Sequence, residues 1–475
     1  MAKYDYDLII IGGGAAGFVS AKVARGFGKT VAMIEKGKLG GECTNYGCIP
    51  SKSLIRAARA AHEMKNLDKL GLKLDAPLSF NTDNVMSHVR SIVQKVYNTH
   101  LPESFKSLGI DVIFGSPQFL DNHRIKIGEK ILSADKFIVS TGSSPSIPPV
   151  DGINEAPYLT NNTIFSLDKL PASLIVMGGG PIGIELSSAF NRLNVEVTVV
   201  EMLDRILIKE DKELSDKLAE RLKSEGLKIM TSAKAVRVSK SNGKIRLSVE
   251  EKEGAIKEID AEGILVATGR KPNTEGLALE KAEVKYNNKG IEVNDRLQTS
   301  ANNIYACGDV VGHYQFSHIA EYHGVIACSN AFLPIKKRVD YRNVIWCTFT
   351  DPELAHAGLT EDEAREAYGN NIKILHYDYS KFDRARTDME EFGMSKIILD
   401  NSGKVLGVHI LGTHASEIIH EVQLAKHFNI PFGKIWEAIH IYPSYSDVIR
   451  QPSKYYYAER LRNNPFIKLI NIFLS

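Results

Sequence analysis

Cys43 and Cys48 stand five positions apart in the run Gly40-Gly41-Glu42-Cys43-Thr44-Asn45-Tyr46-Gly47-Cys48-Ile49-Pro50-Ser51-Lys52. Two thiols so close in sequence point to redox chemistry or metal binding. Metal alone is the weaker reading, because two thiolates leave a zinc site incomplete and no histidine lies nearby at ligand spacing. A buried structural cystine is disfavoured by an odd total of five cysteines, too few for a secreted disulfide scaffold. On an ideal helix a five-residue step rises ~7.5 Å, beyond the roughly 4.4–6.8 Å Cα separation of a disulfide. A bond between these sulfurs therefore requires a distorted backbone, with Gly47 as the residue that permits it, and such a bond is easily reduced.

The second chemical signal is a repeat. Residues 7–35 read as strand, Gly12-Gly13-Gly14-Ala15-Ala16-Gly17, small-residue helix, second strand and Glu35; residues 172–201 read the same way through Gly178-Gly179-Gly180-Pro181-Ile182-Gly183 to Glu201. In each copy the first glycine (Gly12, Gly178) makes the bend and the second (Gly14, Gly180) lets backbone approach a pyrophosphate. The third (Gly17, Gly183) lets helix pack on strand, and the acid lies where ribose hydroxyls fall. The helix N-terminus adds N–H donors and a positive dipole end. Two such units predict two dinucleotide sites.

The rest of the chain must position these groups. Its 475 residues suggest two to four domains. With 43% hydrophobic and 24% charged residues the composition is that of an ordinary folded protein. Lys+Arg 59 against Asp+Glu 57 gives a net charge of +2, which argues against nucleic acid as partner. No apolar run approaches the ~20 residues of a membrane span. Met-Ala-Lys-Tyr-Asp-Tyr-Asp leads directly into a strand pattern without a leader-like segment, so a cytoplasmic location is expected. Turn signals at Asp121-Asn122, Asn242-Gly243 and Asn401-Ser402-Gly403 mark β-rich stretches. From about Val344 the pattern changes, with a capping box at Thr360 and Glu363, antiparallel strands at 397–399 and 405–411, and a helix near 417–428. Cys307, Cys328 and Cys347 sit among apolar residues and read as core.

The cysteine run resembles the active-site motif of the class I flavin-dependent pyridine nucleotide–disulfide oxidoreductases, which include glutathione reductase, dihydrolipoamide dehydrogenase and mercuric reductase. Further elements follow in the family's order: Ser140-Thr141-Gly142, Ala267-Thr268-Gly269-Arg270-Lys271-Pro272-Asn273 and Ala306-Cys307-Gly308-Asp309. The resemblance implies an α/β protein with two Rossmann-like domains, for FAD and NAD, and a C-terminal α+β dimerisation domain. The expected division is FAD-binding at 1–145 and 275–339, nucleotide-binding at 146–274, dimerisation at 340–455 and an amphipathic tail at 456–475. FAD would lie on the first glycine turn with Glu35, Gly115, Thr141, Gly142 and Asp309, the last bonding the ribityl chain. The nicotinamide nucleotide would lie on the second turn with Glu201 and Gly269. Electrons would pass from nicotinamide to flavin to the sulfur of Cys48, leaving Cys43 as the exchanging thiol. Lys52 would sit beside the flavin, paired with Glu185, where a cation stabilises the reduced ring. A carboxylate at Glu201 accepts from a ribose 2′-hydroxyl and repels a 2′-phosphate, which favours NADH over NADPH, with Arg205 nearby as the competing phosphate ligand.

One element departs from the family. Its usual His-Pro-Thr-x-x-Glu, supplied across the dimer, is here Tyr442-Pro443-Ser444-Tyr445-Ser446-Asp447. An ordinary tyrosine titrates roughly three and a half units above histidine and is a poor base toward a dithiol. His440, two residues earlier, is the candidate substitute. A tyrosine here resembles mercuric reductases, whose substrate needs capture by thiolate, but the vicinal cysteine pair that ends those enzymes is replaced by Phe473-Leu474-Ser475. The expectation is thus a homodimeric FAD enzyme that uses NADH to reduce a disulfide, metal ion or quinone-type acceptor, with no resident metal. The alternatives are a mercuric reductase-like enzyme, a dihydrolipoamide dehydrogenase using His440, and a slow flavin redox sensor. The tail 465–474 places Phe466, Ile467, Leu469, Ile470, Phe473 and Leu474 at helical spacing after a basic stretch, so it either docks on protein or rests on a lipid surface.

Overall fold

A computed structural model describes residues 3–73, 78–241 and 243–467. The chain divides into two compact units: Met1–Gly178 with Leu193–Val197 and Ala235–Asp340, and Gly179–Arg192 with Thr198–Lys234 and Tyr341–Ser475.

The first unit is built on strands β1 (Tyr6–Ile11), β2 (Val31–Glu35), β3 (Ile110–Phe114), β4 (Gln118–Asp121), β5 (Arg124–Ile127) and β6 (Lys130–Val139). They run in the order β3-β2-β1-β6-β5-β4. The central parallel strands β1 and β2 are near-continuous apolar runs, as strands covered on both faces require, while β3 at the edge leaves Asp111 and Phe114 exposed. β6 serves twice: its first half pairs antiparallel with β5, and its second half lies between β1 and the parallel strand Ile304–Ala306. All these parallel strands end toward Gly12, Ser140 and Cys307, so the segments carrying chemistry leave one edge of one sheet.

Helix α1 (Ala15–Gly26) follows the first glycine turn and buries Ala16, Gly17, Ala21 and Ala24. It packs closely on the helix Ser317–Phe332: a Cβ on Gly324 would come within 2.7 Å of Ala16 O, and Ser20 Oγ donates to Gly324 O at 3.3 Å. Glycine there allows the two backbones to approach, which fixes where the second helix begins. Cys307 and Cys328 are fully buried in this core, and burial pushes both thiols up to about 12. A short antiparallel pair, Ser143–Pro145 with Arg270–Pro272, brings two of the family segments together.

In the second unit a five-stranded antiparallel sheet has the order Ile345–Thr348, Glu353–Gly358, Val405–Gly412, Met394–Asp400, Ile372–Asp378. Its alternating inner residues pack under the helices Ala415–His427 and Asp447–Asn463 through Ile397, Leu399, Val408, Ile410, Ile419, Val422, Val448 and Tyr456. Cys347 is half-buried against this core. The capping box at Thr360 and Glu363 forms as the sequence predicts. Buried charge is paired: Lys396 Nζ reaches Asp211 at 3.0 Å, Glu213 at 3.1 Å and Glu361 at 2.6 Å. The helix Asp447–Asn463 crosses position 455 without a break, and Tyr456 is docked on the core. The apolar tail from Lys468 to Leu474 lies outside the described residues.

Candidate active site

The distortion expected between the cysteines is present. Helix α2 (Gly41–Tyr46) carries Cys43, helix α3 (Cys48–Lys65) begins at Cys48, and Gly47 joins them at φ −124°, ψ −108°. A Cβ at Gly47 would meet Glu42 O at 3.2 Å and Cys43 Cα at 3.3 Å, tighter than ordinary contact. The side chain of Asn45 donates to Leu39 O at 3.1 Å and Gly41 O at 2.8 Å, holding the short helix against the turn before it. Cys43 is raised above an ordinary thiol, first because it shares its proton with Cys48 and then through burial, while Ser317 acts in the opposite sense. Ser317 Oγ lies 3.7 Å from Cys48 Sγ. Nothing in the sequence motifs marks this serine.

Glu42, which precedes the first cysteine, forms a bidentate pair with Arg270: Nη1 donates to Oε1 at 2.7 Å and Nη2 to Oε2. Asn161 also donates to Glu42. Arg270 Nε donates to Ser143 Oγ at 2.8 Å, and that hydroxyl donates to Asp309 Oδ2 at 2.6 Å. Burial raises the Asp309 carboxyl, with Ser143 and Arg270 pulling against it. Three of the segments that carry the family resemblance therefore meet in one network.

The two glycine turns are alike down to individual hydrogen bonds. Glu35 accepts from Gly13 N at 2.8 Å and Gly37 N at 2.7 Å. Glu201 accepts from Gly179 N at 2.6 Å and Leu203 N at 2.8 Å, in the same relative positions. Gly12 and Gly178 adopt φ +112° and +108°, and a Cβ on either would fall within 2.4 Å of a carbonyl oxygen, of Ser140 and Ala267 respectively. Only glycine fits at both places. The open side of each turn suits a phosphate: α1 starts at Gly14 without a side-chain cap or an acidic residue in its first turn, and a Cβ on Gly180 would meet nothing within 4 Å. Free helix-start N–H groups beside a glycine cradle fit a dinucleotide pyrophosphate, and each acid keeps lone pairs for ribose hydroxyls.

Gly115, at the end of β3, donates its N–H to Glu35 O at 2.9 Å and stands where a Cβ would strike Ile127. Thr141 Oγ1 donates to Asn273 O at 2.7 Å, and Asn273 N donates back to Gly142 O at 2.9 Å. Gly269 O accepts from Ser146 N at 2.9 Å. Arg205 is spent on backbone: its guanidinium donates to Leu207 O, Ile208 O and Glu210 O. Lys52 lies one turn into α3 from Cys48, and Gly183 lies on the helix Pro181–Arg192 with Glu185. Glu185 is buried and accepts from Phe349 N at 2.8 Å.

The C-terminal candidates have separate partners. Tyr442 is exposed and donates its hydroxyl to Asp383 Oδ2 at 2.8 Å, and this bond raises the phenol above its ordinary range. His440 faces two acceptors, Glu421 Oε1 at 2.7 Å from Nε2 and Ala438 O at 2.8 Å from Nδ1. Asp447 is buried at the start of its helix and accepts from Arg450 and Gln451 at 3.3 Å each. Asp383 and Glu421 carry no motif and were not foreseeable from sequence. Among the described residues no helix is long and apolar enough to cross a membrane, and no three His, Cys, Asp or Glu side chains are gathered as a metal ion would need.

Residues 6–324 match the family described as "Pyridine nucleotide-disulphide oxidoreductase", and residues 344–452 match its dimerisation domain. A mercuric reductase of Lysinibacillus sphaericus is 36% identical over 437 residues, 92% of this chain and 80% of the relative. A dihydrolipoyl dehydrogenase of Bacillus subtilis (strain 168) is 34% identical over 459 residues, 94% of this chain and 96% of the relative. The HOCl-induced flavoprotein disulfide reductase RclA from Escherichia coli superposes with a TM-score of 0.84 at 28% identity, covering 94% of this chain and 99% of RclA. Its Cu(II) complex gives 0.83 at 29%, covering 94% of this chain and 98% of that one. With the redox cysteine pair, two dinucleotide turns and a dimerisation domain in one chain, the protein belongs to the pyridine nucleotide–disulphide oxidoreductase family, as a homodimeric oxidoreductase of the FAD- and NAD(P)H-dependent kind.

Proposed function

We propose that this enzyme uses NADH to reduce a thiol-reactive acceptor, a soft metal ion or a disulfide-like electrophile, that is captured by Cys43. The carrying observation is the bond from Tyr442 to Asp383: the residue in the place of the family's histidine is itself a proton donor held on a carboxylate. A site without a base there is better suited to an acceptor that binds sulfur directly than to one that must first lose protons. Two relatives agree with that class: one is a mercuric reductase, and the flavoprotein disulfide reductase RclA was solved as a Cu(II) complex. FAD, when bound, supplies the two-electron relay between nicotinamide and sulfur. The balance is simple: NADH gives NAD+, a proton and two electrons. A disulfide acceptor takes both electrons and two protons and leaves as two thiols, Hg(II) takes both electrons alone, and two Cu(II) take one each.

In this reading Cys48 receives electrons and Cys43 exchanges with the acceptor. Lys52 steadies charge on the reduced ring. Gly12, Gly14, Gly17, Glu35, Gly115, Thr141, Gly142 and Asp309 hold FAD, and Gly178, Gly180, Gly183, Glu201 and Gly269 hold the nicotinamide nucleotide. NADH is favoured because a carboxylate at Glu201 would accept from a ribose 2′-hydroxyl and repel a 2′-phosphate, while Arg205 is already committed to three carbonyls. A second reading, dihydrolipoamide dehydrogenase, is favoured by the contact of His440 with Glu421, a carboxylate–imidazole pair near the same segment.

Steady-state NADH oxidation with Hg(II), Cu(II), glutathione disulfide, lipoamide and a quinone decides between them. Turnover with a metal ion or disulfide that Cys43→Ser and Cys48→Ser each abolish is the expected result. Lipoamide turnover lost in His440→Ala supports the second reading. A single reduction of the cysteines followed by a stall, with every acceptor, marks a redox sensor and overturns the first.

A further inference from the structure

We propose that the hydroxyl of Ser317 is a catalytic group that holds negative charge on the Cys43–Cys48 sulfurs. The proposal rests on the reading of these two cysteines as the redox pair. Its geometry has three parts. Ser317 Oγ lies 3.7 Å from Cys48 Sγ, within the reach of a hydrogen bond to sulfur. Ser317 is the first residue of a 16-residue helix whose N-cap, Phe316, offers no side-chain acceptor and whose first turn has no acidic residue. Cys48 is the first residue of the 18-residue α3, capped by Gly47 with no side chain either. Two helix starts therefore meet at one sulfur pair, and each brings the positive end of its dipole.

A thiolate is the nucleophile, and helix N-termini and hydroxyl donors favour it over the thiol. Ser317 acts on Cys43 as well, where its hydrogen bond opposes the rise imposed by Cys48 and burial. The helix that carries Ser317 cannot easily retreat, because Gly324 seats it directly on the backbone of α1. Arg56, Arg59, His62, Glu63 and Lys65 lie further along α3, and Glu321, Tyr322, His323 and Cys328 further along the helix of Ser317; the charged and titratable groups nearer the cysteines are these. Glu42 is turned into its pair with Arg270, Tyr46 ends α2, Lys52 lies one turn along α3, and His318 follows Ser317 on its helix. When the disulfide takes up two electrons the S–S bond breaks into two sulfurs that together carry up to two negative charges. The hydroxyl then donates to whichever sulfur holds the charge, while keeping its own proton.

The test is the pH profile of iodoacetamide labelling of the reduced enzyme, resolved by mass spectrometry at Cys43 and Cys48. Ser317→Ala is expected to move the labelling profile to higher pH and to slow labelling at pH 7 about tenfold, the size of one lost hydrogen bond to a charged group. Ser317→Thr, which keeps the hydroxyl, is expected to restore the wild-type profile. Superimposable profiles for wild type and Ser317→Ala overturn the proposal, and so does equal slowing by alanine and threonine. Failure here is separable from failure of the parent reading: that reading falls if the cysteine variants keep their turnover or if the enzyme stalls after one reduction with every acceptor.

Discussion

Tyr442 gives its hydroxyl proton to Asp383 Oδ2 at 2.8 Å, so the phenol meets its nearest carboxylate as a donor. The bond raises the phenol above its ordinary value near 10, and it stays protonated throughout the neutral range. The flavin–thiolate charge-transfer band of the two-electron-reduced enzyme should therefore show no imidazole titration arising at this position. Tyr442→His should introduce one near pH 6–7, where ~6.5 is the ordinary imidazole value. A pH series of absorbance spectra checks this. An imidazole titration in the wild type that vanishes in His440→Ala would instead assign the proton to His440.

Glu201 holds the second glycine turn through Gly179 and Leu203, and in the proposed function it is the ribose acceptor. Glu201→Gln keeps its size but loses the charge. The KM for NADH should rise about tenfold, the cost of roughly one hydrogen bond to a charged group, and the preference for NADH over NADPH should narrow by a similar factor. Parallel KM determinations with the two nucleotides check both shifts. No change in the ratio would remove Glu201 from nucleotide selection.

Gly47→Ala places a methyl group 3.2–3.3 Å from Glu42 O and Cys43 Cα. The neighbours have to give by a few tenths of an ångström, which alters the spacing of the two sulfurs. Reoxidation of the dithiol to the disulfide should slow several-fold, while retention of FAD is unaffected. Thiol titration over time against the 450 nm flavin absorbance separates the two effects.

Glu42→Gln breaks the ionic pairing with Arg270 that joins the cysteine run to the segment of Ser143 and Asp309. Both side chains are largely buried, so the loss should be about 1–2 kcal/mol of stability and a fall of a few degrees in the apparent unfolding midpoint. A thermal melt at pH 7 measures it. An unchanged midpoint would show the pair to be energetically neutral.

His409 is fully buried beside His356, and burial lowers it to about 3, with Asp211 pulling weakly the other way. Its folded value lies below the ordinary ~6.5, so between those two limits the unfolded chain binds the proton and the native chain does not. Stability is therefore lost as pH falls from about 6.5 toward 3. His409→Gln should flatten the fall of the melting midpoint between pH 6.5 and 4.5 relative to wild type. The paired carboxylates contribute in both proteins and cancel in the comparison.

What the sequence discloses here is what lies close together along it. The two glycine turns, their acids and the break at Gly47 depend on neighbouring residues and on backbone geometry, so residue type and spacing are enough to find them. The strands of the first sheet are legible for the same reason, as apolar runs bounded by turns. Ser317 is different: it meets Cys48 across 269 positions, and no local pattern distinguishes it from any serine at a helix start. Asp383 and Glu421 are equally ordinary acids until the fold sets them beside Tyr442 and His440, 59 and 19 positions away. Glu42 stands inside the most legible motif of all, yet its pairing with Arg270 depends on the two-stranded contact at Ser143–Pro145.

Glu35 and Glu201 are each moored to two amides of their own loop. If these acids are the ribose acceptors, as proposed, an arriving nucleotide meets a receptor already set in place, so little of the association free energy goes into ordering the loop. A difference in residence time between a tightly kept flavin nucleotide and a freely exchanging pyridine nucleotide must then come from what surrounds these matching anchors, since the anchors themselves are the same.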